Sequence, residues 1–484
     1  MNRKRRKIRL LFILLSLAFG IFVSNVNAAE SRLTEQATLT ITGVDAGDTL
    51  AAYKVLDAYK NEATNEIIYH FTDNFKSFIA QSAKYSDLTE EKYYDLTSGD
   101  TGNGSTQTSS TLDAIVSSYA TYVKKQNIDG IIMTTNTTNS TLTTEVGTYL
   151  VLPKITKRIY AVMVGNLDYK EQDGAWVKNN ATIVAKVSDV SIEKTVGDKT
   201  SQTTSKCNNQ EFTYYVTGTV PQFPTNAINR KYVIQDTLSV GLTYSGMDSI
   251  IIKDGEDRLT ITESGTVEDA SGNHVADVKI EGQIMTIEFD ITRINSTKIN
   301  VTYTAKLNEQ AVLGSDGNGN DAILIYANDP YGDKTNETPT KKAVVYTYGL
   351  KLLKYREGDT TKKGLKGAEF DIYSDQDLTT KVGTIVTDET GYGSYHSLGE
   401  GTYYLKETKA PTGYVVAKNA IEIKVSGASI EDGYQLVEIT NNAAGLLPFT
   451  GGMGTIIYTM LGLIVIVGSS VGIVHYKKSK IAKT

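Results

Sequence analysis

Residue types that usually carry chemistry are sparse in this sequence of 484 residues. There are four histidines, His70, His274, His396 and His475, and a single cysteine, Cys207. None of the histidines stands in a pattern that would pair it with a nucleophilic serine or cysteine, and no glycine-rich phosphate loop leads into a predicted helix. We therefore expect that the chain is not an enzyme and takes no cofactor.

An oxygen-rich segment at residues 316–321 has the spacing of a calcium-binding loop. Such a loop needs glycine at its sixth position and a bidentate glutamate at its twelfth. This sequence has Asp321 and Ala327 there. These departures favour a surface turn that binds no metal.

The C-terminal end combines three features. Residues 447–451 read LPFTG, residues 454–474 are apolar enough to span a bilayer as a helix, and residues 475–484 form a basic tail. The pentapeptide resembles the LPxTG sorting signal. That resemblance implies cleavage by a sortase between Thr450 and Gly451, with the threonine acyl group passed to an amine. The chain is therefore expected to be anchored to the peptidoglycan of a Gram-positive cell wall.

The N-terminal end has the organisation of a secretory signal peptide. A basic start precedes the short apolar run 10–23, and small residues follow at 26–28. The alternative, a membrane anchor, is disfavoured because the run is shorter than the roughly 20 residues that cross a bilayer. We assign residues 1–29 to the signal peptide and expect the mature chain to be secreted.

Composition predicts a mainly β protein. The chain holds 30 tyrosines and only seven prolines, and it is rich in threonine and valine, which favours strands. Its lone cysteine leaves an exported protein without a disulfide, so rigidity must come from elsewhere. The net charge of −6, without a large basic patch, argues against a nucleic-acid partner.

The first predicted domain covers residues 30–187. Alternating patterns predict strands at 38–42 and 147–152, whereas 73–79 and 112–125 have helical character. The polar stretch between the helical segments is predicted to be a loop. This domain is therefore expected to be β-rich with helical insertions.

Two further domains are predicted at residues 188–343 and 344–443, with the sorting region at 444–484. Period-two alternation with short turn-rich intervals dominates the second domain, which favours an Ig-like β-sandwich. The polar stretch 335–342 is predicted to be the linker between the two. The fold class is thus mainly β, with tandem Ig-like sandwiches.

Residues 403–414, YYLKETKAPTGY, match the pilin E-box pattern YxLxETxAPxGY at every fixed position. With residues 364–370 upstream, the third domain resembles the CnaB-type domain of Gram-positive surface proteins. Residues 233–244, 303–305 and 326–330 make the second domain similar to a CnaA-type pilin domain. Together with both ends, the chain resembles the backbone subunit, or major pilin, of a sortase-assembled pilus.

The resemblance implies an internal lysine–asparagine isopeptide bond in each of these domains, promoted by a nearby acid. For the third domain the matching residues are Lys354 on the first strand, Glu407 in the E-box and Asn441 on the last strand. Lys351 and Asn442 stay open as alternatives, because a shift of one residue moves a side chain to the opposite face.

For the second domain the resemblance implies a bond between Lys194 and Asn328, with Asp236 as the promoting acid. These bonds would form once per domain, as self-processing rather than turnover. They would replace the rigidity that disulfides supply elsewhere.

A backbone pilin also needs a lysine that receives the threonine of the next subunit. The family motif, near WxxxVxVYPK, has a loose counterpart at residues 176–186. It implies Lys186 as the pilin lysine, although Ala185 stands where the motif has proline. Lys178 and Lys154 remain alternatives.

Two functions therefore compete. The favoured one is a covalent shaft subunit of a cell-surface pilus, whose partners are sortases, identical subunits, minor pilins and peptidoglycan. The alternative is a singly anchored adhesin or minor pilin that binds a host ligand through an insert within residues 60–140. Tandem β-domains serve both roles, since fold alone does not determine function.

Overall fold

The computed structural model describes residues 29–98, 110–427, 430 and 433–443. Residues 1–28 of the predicted signal peptide and the predicted sorting region 444–484, with Thr450 and Gly451, lie outside these ranges. Within the described ranges, no helix has both the length and the apolarity that crossing a bilayer requires.

The first domain is built on a long central strand, β3 (Thr49–Asn61). The first part of β3 pairs with β7 (Gly147–Ile155) on one edge and β5 (Ile131–Thr134) on the other. Its last part pairs with β1 (Glu30–Arg32) on one edge and β4 (Ile67–Phe71) on the other, and β9 (Met163–Leu167) pairs with β7. A smaller sheet has the order β12-β2-β6. The elements are β1 Glu30–Arg32, β2 Gln36–Thr42, β3 Thr49–Asn61, β4 Ile67–Phe71, α1 Asp73–Ala80, α2 Glu90–Ser98, α3 Ser110–Lys125, β5 Ile131–Thr134, β6 Asn139–Glu145, β7 Gly147–Ile155, β8 Ile159–Tyr160, β9 Met163–Leu167, β10 Tyr169–Gln172, β11 Ala175–Lys178, β12 Ala181–Val184 and β13 Val187–Ser188, with a 3₁₀ turn at Ala83–Tyr85.

The helical insertions predicted in this domain are confirmed by α1 and α3, and the predicted strands by β2 and β7. The helices carry an aromatic face that packs on the sheet. Phe75 of α1 lies 4.7 Å, ring centre to ring centre, from Tyr119 of α3 in an edge-to-face contact. Aromatic pairs of this geometry add to the apolar burial that holds helix to sheet.

The second domain is a sandwich of two sheets. One has the order β14-β16-β25-β19-β20, and the other β15-β28-β26-β17-β24-β23-β22-β21. The elements are β14 Ile192–Val196, β15 Thr203–Ser205, β16 Glu211–Thr219, β17 Tyr232–Leu238, β18 Leu242–Tyr244, β19 Ile251–Asp254, β20 Asp257–Arg258, β21 Thr260–Ile261, β22 Thr266–Glu268, β23 His274–Glu281, β24 Ile284–Phe289, β25 Lys298–Leu307, β26 Asn318–Ala327, β27 Thr335–Glu337 and β28 Lys341–Tyr346, with 3₁₀ turns at Met247–Ser249 and Ile291–Arg293.

The polar stretch 335–342 is not a linker, which corrects the sequence prediction. Both β27 and the first part of β28 are paired with β26, so this stretch belongs to the second sheet. Polar residues are tolerated there because one face of the strand is open to water. Strand β28 also runs through the predicted boundary between residues 343 and 344, and the change to the third domain falls at Thr347.

The third domain has two sheets, β32-β29-β35 and β31-β30-β33-β34, around a core that includes Leu352, Phe370 and Leu405. Its first and last strands, β29 and β35, are parallel neighbours along eight paired positions. The strands are β29 Tyr348–Arg356, β30 Glu369–Tyr373, β31 Lys381–Val386, β32 Tyr392–Leu398, β33 Gly401–Lys409, β34 Ile421–Val425 and β35 Tyr434–Asn441. The predicted fold class, mainly β with tandem sandwiches, is confirmed.

The first two domains interlock through the segment that follows β26. Tyr331 is buried in the aromatic core of the first domain, and its hydroxyl lies 3.4 Å from the hydroxyl of Ser117 on α3. Beside it, Lys124 of α3 forms a 2.8 Å ion pair with Asp329. A segment of the second domain thus completes the core of the first.

We expect Tyr331→Ala to destabilise the first domain by about 3–5 kcal/mol, as for other buried aromatic truncations. The reason is that the ring fills space between α3 and the sheet, where its loss leaves a cavity. Calorimetry of the exported chain would show the first domain melting at a lower temperature than in the wild type.

Tyr331→Phe is the matched control. It keeps the ring and loses only a long hydrogen bond, so it should cost less than about 1 kcal/mol. Equal melting temperatures for the alanine variant and the wild type would show that the interlock does not support the first domain.

Candidate functional site: two buried lysine clusters and an interdomain lysine

Strand β29 carries Lys354 into the core of the third domain. Lys354 follows the inward-facing residues Leu350 and Leu352 in the alternation of the strand and is fully buried. Lys351 faces outward, and its amine lies 4.9 Å from the centre of the Tyr392 ring. Of the two lysines that the sequence left open, only Lys354 reaches the core, because side chains alternate between faces.

The other predicted members of this cluster meet Lys354 there. Its Nζ donates to Oδ1 of Asn441 at 2.8 Å and lies 3.3 Å from Oε1 of Glu407. Nδ2 of Asn441 donates to the same Glu407 oxygen at 2.9 Å. Asn442 is exposed beyond the end of β35. The three predicted residues therefore form a closed, buried triangle.

Burial lowers the pKa of Lys354, although the neighbouring Glu407 opposes this shift. Desolvation penalises the charged amine, so the neutral form that can act as a nucleophile becomes accessible. Glu407 is held in place by a 2.6 Å hydrogen bond from the backbone N–H of Ala417 to its second oxygen. The arrangement brings an amine, an amide and a carboxyl group together in the buried core of the domain.

The second domain holds a similar cluster between its two sheets. Lys194 on β14 and Asp236 on β17 are fully buried and ion-paired, with Nζ of Lys194 also 2.8 Å from the hydroxyl of Tyr303 on β25. Burial again lowers the pKa of the lysine. The structure thus brings together the lysine and the acid that the sequence predicted.

Asn328 does not join them, and the sequence prediction is corrected here. Its side-chain amide donates to the backbone carbonyl of Thr156 in the first domain, at 2.7 Å. It lies one residue beyond the end of β26, whereas Asp236 faces Ala322 in the interior of that strand. The six residue steps from position 322 to position 328 span about 20 Å along an extended chain, too far for a lysine side chain to cross.

The asparagine that does lie in the cluster is Asn320. It is fully buried, and its Nδ2 donates to the hydroxyl of Tyr303 at 2.7 Å. In the register of the sheet it pairs with Leu238, two positions from Asp236 on the same face. Asn320 and Lys194 therefore share one hydrogen-bond partner, the Tyr303 hydroxyl.

Sequence reasoning missed Asn320 because residues 316–321 were interpreted as a surface turn. That interpretation is wrong from Asn318 onward, where β26 begins and both Asn318 and Asn320 are buried. A signal was present in the sequence. Asn318 and Asn320 extend the period-two pattern of the apolar residues that follow, which places them on the core face.

Lys186 follows β12 in the segment that joins the first two domains. Its side chain is exposed and lines a cavity of about 320 Å³, whose walls include Val116 and Ile183 of the first domain and Phe223 of the second. The backbone is held by a 3.0 Å hydrogen bond from the Ala161 N–H to the Lys186 carbonyl. Among the described residues, no group forms a hydrogen bond with its amine.

The alternative lysines have different surroundings. Nζ of Lys178 donates to the Gln36 carbonyl at 2.8 Å on the surface of the first domain. Lys154 is exposed near the end of β7. Neither lines the interdomain cavity.

Comparison with known proteins gives a family match for the third domain. Residues 350–443 match the SpaA prealbumin-like fold domain family. The chain is 30% identical over 281 residues to the trypsin-resistant surface T6 protein of Streptococcus pyogenes serotype M6, which covers 54% of this chain and 50% of T6. It is 26% identical over 360 residues to fimbrial subunit type 2 of Actinomyces naeslundii, which covers 64% of each chain. The match therefore spans only half the length of T6.

Solved structures extend the similarity in fold. The T6 backbone pilin of Streptococcus pyogenes superposes with a TM-score of 0.67 at 19% identity, over 85% of this chain and 99% of that one. The full-length major pilin SpaD of Corynebacterium diphtheriae gives 0.54 at 18% identity, over 85% and 98%. Residues 350–443 thus form a SpaA-type prealbumin-like domain, and the chain is a homologue of the T6 and fimbrial subunit proteins of Gram-positive bacteria.

Proposed function

We propose that this protein is the structural subunit of a covalent cell-surface pilus, locked internally by lysine–asparagine isopeptide bonds. The observation that carries the proposal is the buried triangle of Lys354, Glu407 and Asn441, whose polar atoms lie within 3.3 Å of one another. Because these three side chains are closed to solvent, they cannot contact an external ligand. The triangle suits a reaction within the chain.

The chemistry follows from the contacts. The neutral Lys354 amine attacks the side-chain carbonyl carbon of Asn441, which forms a C–N bond, and the amide nitrogen leaves as ammonia. Glu407 contacts both nitrogens, so it can hydrogen-bond the amide and move the proton from the attacking to the leaving nitrogen. One amide replaces another, so no oxidant or cofactor is consumed.

In the second domain we propose the bond between Lys194 and Asn320, with Asp236 as the acid. Lys194 belongs to one sheet and Asn320 to the other. This bond would therefore staple the two sheets of the sandwich together. In the third domain the bond would instead join neighbouring first and last strands.

Both bonds close long loops. Lys354 and Asn441 are 87 residues apart, and Lys194 and Asn320 are 320 − 194 = 126 apart. By analogy with disulfides, each closure restricts the unfolded chain and stabilises its domain by about 4–5 kcal/mol. This would give an exported chain with only one cysteine the rigidity that a fibre needs.

For polymerisation we propose Lys186 as the acceptor of the Thr450 acyl group from the next subunit. The support is its exposed amine beside a concave surface between two interlocked domains. A sortase would present Thr450 as a thioester, and attack by Lys186 would form an isopeptide bond between subunits. Peptidoglycan and minor pilins would be the remaining wall partners. A host ligand would make the role adhesive.

The internal bonds predict a mass deficit. The exported wild-type chain should weigh about 34 Da less than its sequence mass, or about 17 Da for each ammonia lost. Asn320→Ala and Asn441→Ala should each restore one increment, as measured by intact mass spectrometry.

Asn328→Ala is the matched control for the second domain and should keep the full deficit, because its side chain faces the first domain. A wild-type mass equal to the sequence mass would remove the internal bonds. If Asn328→Ala instead reduces the deficit by about 17 Da, the bond of the second domain joins Lys194 to Asn328, as the sequence predicted.

The polymer linkage predicts a ladder of high-mass species in cell-wall extracts. Lys186→Arg should abolish it, because a guanidinium keeps the positive charge but is not nucleophilic at physiological pH. Lys178→Arg is the control and should leave the ladder intact, as seen on an immunoblot.

A ladder that persists in Lys186→Arg would assign the acceptor to another lysine. A single wall-anchored band in the wild type would favour the alternative function, a singly anchored adhesin or minor pilin.

A further inference from the structure

The hydroxyl of Tyr303 lies at the centre of the cluster in the second domain. It accepts hydrogen bonds from Nζ of Lys194 at 2.8 Å and from Nδ2 of Asn320 at 2.7 Å. It donates its own proton to Oδ1 of Asp236 at 2.7 Å. One oxygen thus contacts the attacking nitrogen, the leaving nitrogen and the acid.

The third domain has a different arrangement. There, Oε1 of Glu407 contacts both Lys354 and Asn441, so the acid itself links the two reacting nitrogens. In the second domain the hydrogen bonds of Asp236 go to Lys194, Tyr303 and Tyr244, and Asn320 reaches the acid only through the Tyr303 hydroxyl. Aspartate is one methylene, about 1.5 Å, shorter than glutamate. Tyr303 occupies the gap.

We propose that Tyr303 is a catalytic residue in formation of the Lys194–Asn320 bond and relays the proton that the reaction must move. This inference rests on the proposed function, since it concerns the internal bond of the second domain. In the second domain the proton would thus pass through the Tyr303 phenol, whereas in the third domain Glu407 alone would transfer it.

The step balances without any further reactant. The neutral Lys194 amine adds to the side-chain carbonyl carbon of Asn320, which leaves an excess proton on the attacking nitrogen. The Tyr303 oxygen accepts that proton as its own hydroxyl proton passes to the nitrogen of Asn320. The C–N bond to that nitrogen then breaks and ammonia leaves, while the hydroxyl of Tyr303 is regenerated and Asp236 holds the phenol in place through its hydrogen bond.

The fold holds Tyr303 for this task. Its strand, β25, is paired with β16, which is in turn paired with the Lys194 strand, so Tyr303 and Lys194 belong to one sheet. Asp236 and Asn320 belong to the other. The phenol therefore spans the space between the sheets. Burial and the nearby Asp236 raise its pKa well above the usual range, which keeps the hydroxyl protonated and able to donate.

Nearby tyrosines supply controls. The hydroxyl of Tyr244 donates to Oδ1 of Asp236 at 3.0 Å and, among the described residues, forms no hydrogen bond with Lys194 or Asn320. Tyr232 is fully buried in the same core, and its hydroxyl has no hydrogen-bond partner in the described part of the chain. Tyr232→Phe therefore removes a buried phenol that touches none of the reacting groups, whereas Tyr244→Phe removes a hydrogen bond to Asp236 but leaves the link from Lys194 to Asn320 in place.

The experiment compares Tyr303→Phe, Tyr244→Phe and Tyr232→Phe in the exported chain. The fraction of each cross-linked peptide would be followed by mass spectrometry with time after refolding. Tyr303→Phe should slow the Lys194–Asn320 bond by at least about 100-fold, the lower range for a positioned proton-transfer group. The bond in the third domain serves as an internal control and should form at its wild-type rate.

A rescue variant separates a chemical role from a structural one. In Tyr303→Phe/Asp236→Glu, the longer acid extends into the space left by the missing hydroxyl and can contact Asn320, as Glu407 contacts Asn441. We expect this double variant to regain cross-linking to within about 10-fold of the wild-type rate. If Tyr303→Phe alone leaves the second domain unfolded, the test uses the folded double variant. Formation of the Lys194–Asn320 bond in that variant supports the relay, and absence of the bond overturns it.

Other outcomes distinguish this inference from the proposed function. Wild-type cross-linking at an unchanged rate in Tyr303→Phe would overturn the relay and leave the proposed bonds standing. Absence of the Lys194–Asn320 peptide in the wild type would overturn the proposed bond of this domain and the relay with it. Equal slowing by Tyr232→Phe would show that packing, rather than the hydroxyl, controls the rate, which would also overturn the relay.

Discussion

The structure depends on the burial of a lysine beside a carboxylic acid inside an apolar sandwich. Taking a charged amine and a carboxylate out of water costs several kcal/mol for each ion, which their mutual attraction repays only when geometry and hydrogen bonding are favourable. The third domain meets this condition with the contacts among Lys354, Glu407 and Asn441, and the second with Lys194, Asp236 and the surrounding hydroxyls. A covalent amide between the lysine and the asparagine would remove the positive charge of the buried amine. The buried cluster would then hold its strands together through a covalent bond.

The two clusters differ in how the acid contacts the lysine and the asparagine. In the third domain the strands to be joined are neighbours in one sheet, and one glutamate oxygen contacts both partners. In the second domain the lysine and the asparagine belong to opposing sheets about 10 Å apart, the usual separation of packed sheets. Asp236 contacts the lysine across that space, but among the described residues its hydrogen bonds do not include Asn320. The Tyr303 side chain, which comes from the lysine sheet, contacts all three groups.

The first domain is held differently. Its lysine nearest to acids, Lys54, forms partly exposed ion pairs with Asp57 and Glu145. The aromatic contacts of α1 and α3 and the inserted Tyr331 supply apolar burial instead. Because the insert comes from the strand that carries Asn320, a staple in the second domain would also stabilise the surface on which the first domain rests.

Local sequence was sufficient wherever a pattern alone decides the outcome. The period-two alternation predicted the strands, the E-box identified Glu407, and the first and last strands of the third domain supplied Lys354 and Asn441, which the structure brings together. The LPFTG motif, the apolar segment and the basic tail are also linear signals, so their prediction needs no fold.

Tertiary structure decided what depends on register between distant strands. It showed that Asn320 rather than Asn328 lies in the cluster, that Tyr303 lies between Lys194 and that amide, and that the exposed Lys186 lines an interdomain cavity. The reason is geometric: a lysine reaches only about 6 Å, while eight residues of extended chain span about 27 Å. Only the pairing of β17 with β26 determines which asparagine faces the acid.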